Sequence, residues 1–175
     1  TQFILQIIII VFELFAAIAA TWVTVWFTKY SGNGLISKLD SDNQPFNQYT
    51  MATFYAASTA LVWLLVIASG GLLYKSISVW KTTDNAHAIK RNSVDLIILW
   101  AVSIVVIFIT LALFDTGSGR VDWDATKNNP LVDNGNAARG LCISFAAVLT
   151  INFVLVIVNV ALNGLVLNAA LNQYE

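Results

Sequence analysis

A single acid stands in the middle of an apolar run: Glu13, within FILQIIIIVFELFAAIAATWVTVWF at residues 3–27. A run of this length spans a bilayer, which needs about 20 apolar residues. Glu13 then falls near mid-membrane, where a charge costs on the order of 3 kcal/mol on insertion scales, so it is expected to face protein or water rather than lipid. No Lys, Arg or His lies deep in the other apolar runs to serve as counter-ion. Desolvation disfavours a charged carboxyl, so the expectation is a neutral, protonated Glu13 held by hydrogen bonds. Depth counting at about 1.5 Å per residue sets Ser103 level with it and brackets it with Asn152 and Asn159.

Asn152, Asn159 and Asn163 follow spacings of seven and four and share one helix face. Asn168 and Asn172 form a second pair further on. Amides in hydrocarbon must find partners. Glu13, Ser103, Asn152, Asn159 and Asn163 together are therefore the candidate intramembrane polar site. Its bland chemistry is interhelical hydrogen bonding, worth about 1 kcal/mol per contact. Its sharper chemistry is a proton or cation site, or a groove for a lipid headgroup. A lone acid without a second carboxylate or a basic partner favours the bland one. A third arrangement turns Glu13 outward, to be satisfied only by a partner protein.

A second cluster is basic. Lys75, Lys81, Lys90 and Arg91 face only Asp84 within residues 75–93, a net charge near +3. Beside Trp80 these four are candidate lipid-headgroup contacts, each contributing roughly 1 kcal/mol on an anionic leaflet. The alternative is that they act only as a topology determinant.

Residues 115–139 hold a third cluster: Asp122, Asp124, Thr126, Asn128 and Asp133. The spacing loosely follows a calcium loop, but Lys127 stands where the central glycine belongs and the final Glu is missing. A solvated, turn-rich loop is the expected state, with Trp123 in the interface or docked on a partner. No metal or other cofactor is expected. His87 is the only histidine and Cys142 the only cysteine, so bis-histidine haem, iron–sulfur and disulfide chemistry are excluded within the chain. No phosphate-cradling glycine loop or nucleophile–base pair occurs, and catalysis is not expected.

The elements that must position these residues are four apolar runs, at about 3–27, 51–74, 94–114 and 140–167. The 175 residues are 58% hydrophobic and only 11% charged, against about 25% charged in a soluble domain. The expected fold is all-α, an integral membrane four-helix transmembrane bundle, with residues 1–175 as a single transmembrane domain. A net charge of −1 supplies no basic footprint for nucleic acid. Run one carries Ala16, Ala17, Ala19 and Ala20, a small-residue face suited to close helix approach, and ends in an aromatic belt of Trp22, Trp26, Phe27 and Tyr30. Ser69-Gly70-Gly71 in run two suggests either a bend or a close helix contact. Run four stays helix-compatible to Asn172, which exceeds a bilayer and implies tilt or projection into water. The basic 75–93 segment lies between segments each near −1. The positive-inside rule puts it in the cytoplasm, and with four spans both termini follow.

Four spans with modest loops resemble the tetraspan proteins. Residues 31–50 lack the Trp, Gly-Leu-Trp and paired cysteines of claudin-like proteins, and the second loop lacks the Cys-Cys-Gly of tetraspanins. Arg139-Gly140-Leu141-Cys142 followed by Ile143-Ser144-Phe145-Ala146-Ala147 resembles the opening of the last helix in MARVEL-like membrane-organising proteins. That resemblance implies a non-enzymatic membrane-organising role and transfers no site residue. The expected function is thus a membrane-organising or accessory subunit of the plasma membrane. Its partners would be membrane lipids and a larger membrane complex or a homo-oligomer. The alternative is a proton or cation channel or transporter component using Glu13 and the asparagine stripe.

Overall fold

The computed structural model describes residues 2–30, 36–39, 41–44, 47–82 and 86–172, with side chains for all of these except 2, 48, 79–82, 86–92 and 170–171. Five helices follow one another: α1 (Gln2–Tyr30), α2 (Gln48–Thr82), α3 (Ala86–Gly119), α4 (Trp123–Asn128) and α5 (Gly135–Asn172). The four long ones are each apolar and long enough to cross a membrane, over Phe3–Tyr30, Tyr49–Ser78, Ser93–Gly119 and Gly135–Ala169. The fold is an all-α four-helix bundle. Each long helix outruns its apolar run, because hydrophobicity marks only the stretch that suits lipid. Polar turns beyond it keep their backbone bonds in water.

The long helices form a ring. α1 packs on α2 and α5, and α3 packs on α2 and α5, so α1 and α3 lie across a diagonal. One rule sets what each turns inward. On each helix one series of buried positions steps by three and four: 6, 9, 13, 16, 20, 23 and 27 on α1, where Ala17, Ala19 and Trp26 widen the buried face, and 55, 58, 62, 65, 69, 72 and 76 on α2. On α3 they are 93, 96, 100, 103, 107, 110 and 114, and on α5 138, 142, 145, 149, 152, 156, 159 and 163. This is the 3.5-residue repeat of a left-handed bundle with knobs-into-holes packing. The opposite faces carry Leu, Ile, Val and Phe outward, as with Ile18, Val25, Ile67 and Phe108. In lipid that outer face gains little from burial, so packing and interhelical hydrogen bonds hold the ring.

The alanines of α1 all pack inward: Ala16, Ala17, Ala19 and Ala20 are buried. The corresponding residues of α2 behave differently, with Ala56 and Ala60 exposed. Gly70 and Gly71 do not serve close contact either. A Cβ built on either would meet nothing within 4 Å.

One end of the bundle is capped. Ser37 and Val121 form an antiparallel bridge, with Lys38 N–H donating to Arg120 O at 2.9 Å and Asp122 N–H to Ile36 O at 2.8 Å. The segment expected as an open loop instead extends α3 to Gly119 and adds α4. Asp122 caps α4 by accepting from Ala125 N–H at 3.1 Å. Trp123 docks on its own chain, stacked on Trp26 with centroids 5.9 Å apart. Trp26 Nε1 in turn donates to Asp133 O at 2.8 Å. Gly135, at the start of α5, packs closely on α4: a Cβ there would stand 3.1 Å from Thr126 Cγ2, and Thr126 would have to give by a few tenths of an ångström.

Candidate functional site: a polar half-core around Glu13

The interior divides into two halves. Toward the capped end it is aromatic, with one ring from each long helix. Phe27 of α1 meets Tyr55 of α2 at 5.1 Å, Tyr55 meets Phe114 of α3 at 5.2 Å, and Phe114 stacks on Phe145 of α5 at 4.0 Å between centroids. All four are fully buried. Such offset and edge-on pairs each contribute about 1 kcal/mol beyond burial, and together they link all four long helices.

Away from the cap the interior turns polar. Glu13 is fully buried inside the bundle, so it faces neither lipid nor a surface that a partner protein could reach. Asn152 Nδ2 donates to Glu13 Oε1 at 3.2 Å. Two helical turns along, Gln6 Nε2 donates to Asn159 Oδ1 at 3.4 Å. Gln6 and Glu13 are seven residues apart, as are Asn152 and Asn159. The helices run antiparallel, so the two pairs are successive rungs of one ladder between α1 and α5. Asn163 ties the α5 side together, donating from Nδ2 to Asn159 O at 2.8 Å and to Asn159 Oδ1 at 3.2 Å.

α2 contributes Ser69, whose hydroxyl faces the Glu13 carboxyl. Neither Ser69 Oγ nor Glu13 Oε2 completes a hydrogen bond within the protein. Gln6 Oε1, Ser76 Oγ, Asn152 Oδ1, Asn159 Nδ2 and Trp100 Nε1 are buried in the same half and also lack a protein partner. Buried polar atoms in this state cost roughly 1–3 kcal/mol each when nothing else pairs with them. The half-core therefore holds more hydrogen-bonding capacity than its own side chains use.

Of the residues expected at this site, the structure joins Glu13 to Asn152 and Asn159 to Asn163. Ser103 is buried but bonds back to its own helix, Oγ to Trp100 O at 2.6 Å. Its depth suited Glu13, but depth ignores rotation, and α3 sits across the ring. Gln6 and Ser69 were not anticipated. The signal for Gln6 was available: counting back seven from Glu13 reaches it, just as counting on seven from Asn152 reaches Asn159. In the basic segment Lys75 is half-buried on α2, while the side chains of Lys81, Lys90 and Arg91 lie outside the described residues. Among the described residues no group of three His, Cys, Asp or Glu is placed to hold a metal ion. The arrangement can hold a proton on Glu13, pin α1 against α5, and offer polar atoms to a small polar guest. No family model, curated protein or solved structure matches this chain.

Proposed function

We propose that this chain is a non-enzymatic, multi-pass membrane protein acting as a membrane-organising or accessory subunit of a larger membrane complex. The observation that carries this reading is the buried aromatic layer of Phe27, Tyr55, Phe114 and Phe145, one ring from each long helix. Between Glu13 and that layer the buried residues of α1 are apolar, Ala16, Ala20 and Val23 among them, and Leu149 stands between Asn152 and Phe145 on α5, so the polar groups act as a seam between helices rather than as a through-path. The outward apolar faces on all four long helices supply the surface for lipid and for neighbouring subunits. The MARVEL-like sequence at 139–147 points the same way. Both termini are placed in the cytoplasm by the basic 75–93 segment, with the plasma membrane as the proposed location.

The test is the mass and composition of the complex extracted gently from its native membrane. Stable co-purification with a larger membrane protein, or a defined homo-oligomer, supports the reading. A monodisperse monomer with no protein partner overturns it.

One observation favours the alternative, a proton or cation transport element: Glu13 Oε2 has no protein partner although the carboxyl is fully buried. Glu13→Gln in proteoliposomes decides between the two. Loss of a proton or cation flux with the assembly intact would establish transport. The organising role requires that no such flux exists to be lost.

A further inference from the structure

The outside of the bundle is not smooth. Between α2 and α3 runs a groove of about 480 Å³, lined by Leu64, Ala68, Gly71, Leu72, Leu99 and Val102 among others, with Lys75 at one end. We infer that this groove holds one acyl chain of an anionic phospholipid whose phosphate is paired with Lys75. The inference needs only that the bundle sits in a membrane; it does not depend on the accessory role.

Three observations carry it. First, small residues help to open the groove, with Ala68 and Gly71 in its lining. Gly71 lines it at an exposed position, and a Cβ there would meet nothing within 4 Å, so the glycine leaves room rather than bringing helices together. Second, the wall is aliphatic and opens to the bilayer, with Leu64 59% and Val102 52% exposed. Third, the only charged residue lining the groove among the described residues is a cation, and it lies near the end of the apolar span Tyr49–Ser78. Lys75 has no ion-pair partner among the described residues. A basic side chain at that level attracts an anionic headgroup, and its stem can lie along the apolar wall while the ammonium reaches the phosphate.

The groove provides about 480 Å³, within the range of small-molecule sites.

The test is native mass spectrometry of the full chain, purified in a non-ionic detergent and offered phosphatidylglycerol or phosphatidylcholine with identical acyl chains. Phosphatidylglycerol should be retained about fivefold more strongly, as expected for one interfacial charge. Lys75→Gln should remove that preference and Lys75→Arg should keep it. Gly71→Leu and, separately, Ala68→Leu should reduce retention of both lipids, since each fills the groove. Both substitutions project into open or exposed positions, and an unchanged unfolding transition confirms that the bundle remains intact. Equal retention of the two lipids by the unaltered chain would overturn the headgroup assignment. Undiminished retention in both groove-filling variants would overturn the groove.

Discussion

Removing both partners of the Glu13–Asn152 pair should cost less than the sum of removing each alone. Asn152→Leu deletes the donor to Glu13 Oε1 at 3.2 Å, and Glu13 Oε2 already lacks a protein partner. The variant leaves a fully buried carboxyl with neither oxygen bonded. An orphaned buried polar group costs about 1–3 kcal/mol. Glu13→Leu orphans Asn152 instead, whose Oδ1 is likewise unpartnered, at a similar cost of about 1–2 kcal/mol. The double variant replaces the rung with two apolar side chains and orphans nothing. Its destabilisation should fall short of the sum of the singles by about 0.6–1.7 kcal/mol, the span from the mean to the maximum found for hydrogen bonds between membrane helices. Glu13→Gln keeps an acceptor at the same place and should stay within about 0.5 kcal/mol of the unaltered chain. The assay is reversible unfolding in mixed micelles as the denaturing detergent fraction rises, followed by far-ultraviolet circular dichroism. Additivity of the two singles within about 0.3 kcal/mol would refute the claim that this rung couples α1 to α5.

Two other perturbations probe the rest of the bundle. Ala20→Leu adds bulk at a fully buried position of α1, one heptad from Glu13 toward the aromatic layer. It should cost about 1–3 kcal/mol by overpacking, measured in the same unfolding assay, whereas Ala60→Leu on the exposed side of α2 should be nearly neutral. Trp26→Phe removes the 2.8 Å bond to Asp133 O but keeps a ring against Trp123. A loss of about 1 kcal/mol is expected there, together with faster amide exchange at 133–138 and unchanged exchange around Glu13.

The amino-acid sequence alone determined the fold class. Four apolar runs with few charges are each long enough to cross a membrane, and lipid admits only structures that satisfy every backbone group internally. It also determined that Glu13 must be sheltered, since no exposed position at mid-membrane suits an acid, and that Asn152, Asn159 and Asn163 share a face, because helical periodicity is local. The tertiary structure decided which neighbours those faces meet. Ser103 has the right depth for Glu13 but stands across the ring, while Ser69, read only as part of a glycine-containing bend or close contact, faces the carboxyl. Gly70 and Gly71 fit the pattern of a close contact yet border open space. The 115–139 segment reads as loop because Asp, Asn and Gly dominate it, yet it builds α4 and the cap through contacts with Trp26 and Ile36. Along one chain, rise and periodicity give height and face. The rotation of each helix about its own axis, and the order of helices around the ring, depend on all four packing together.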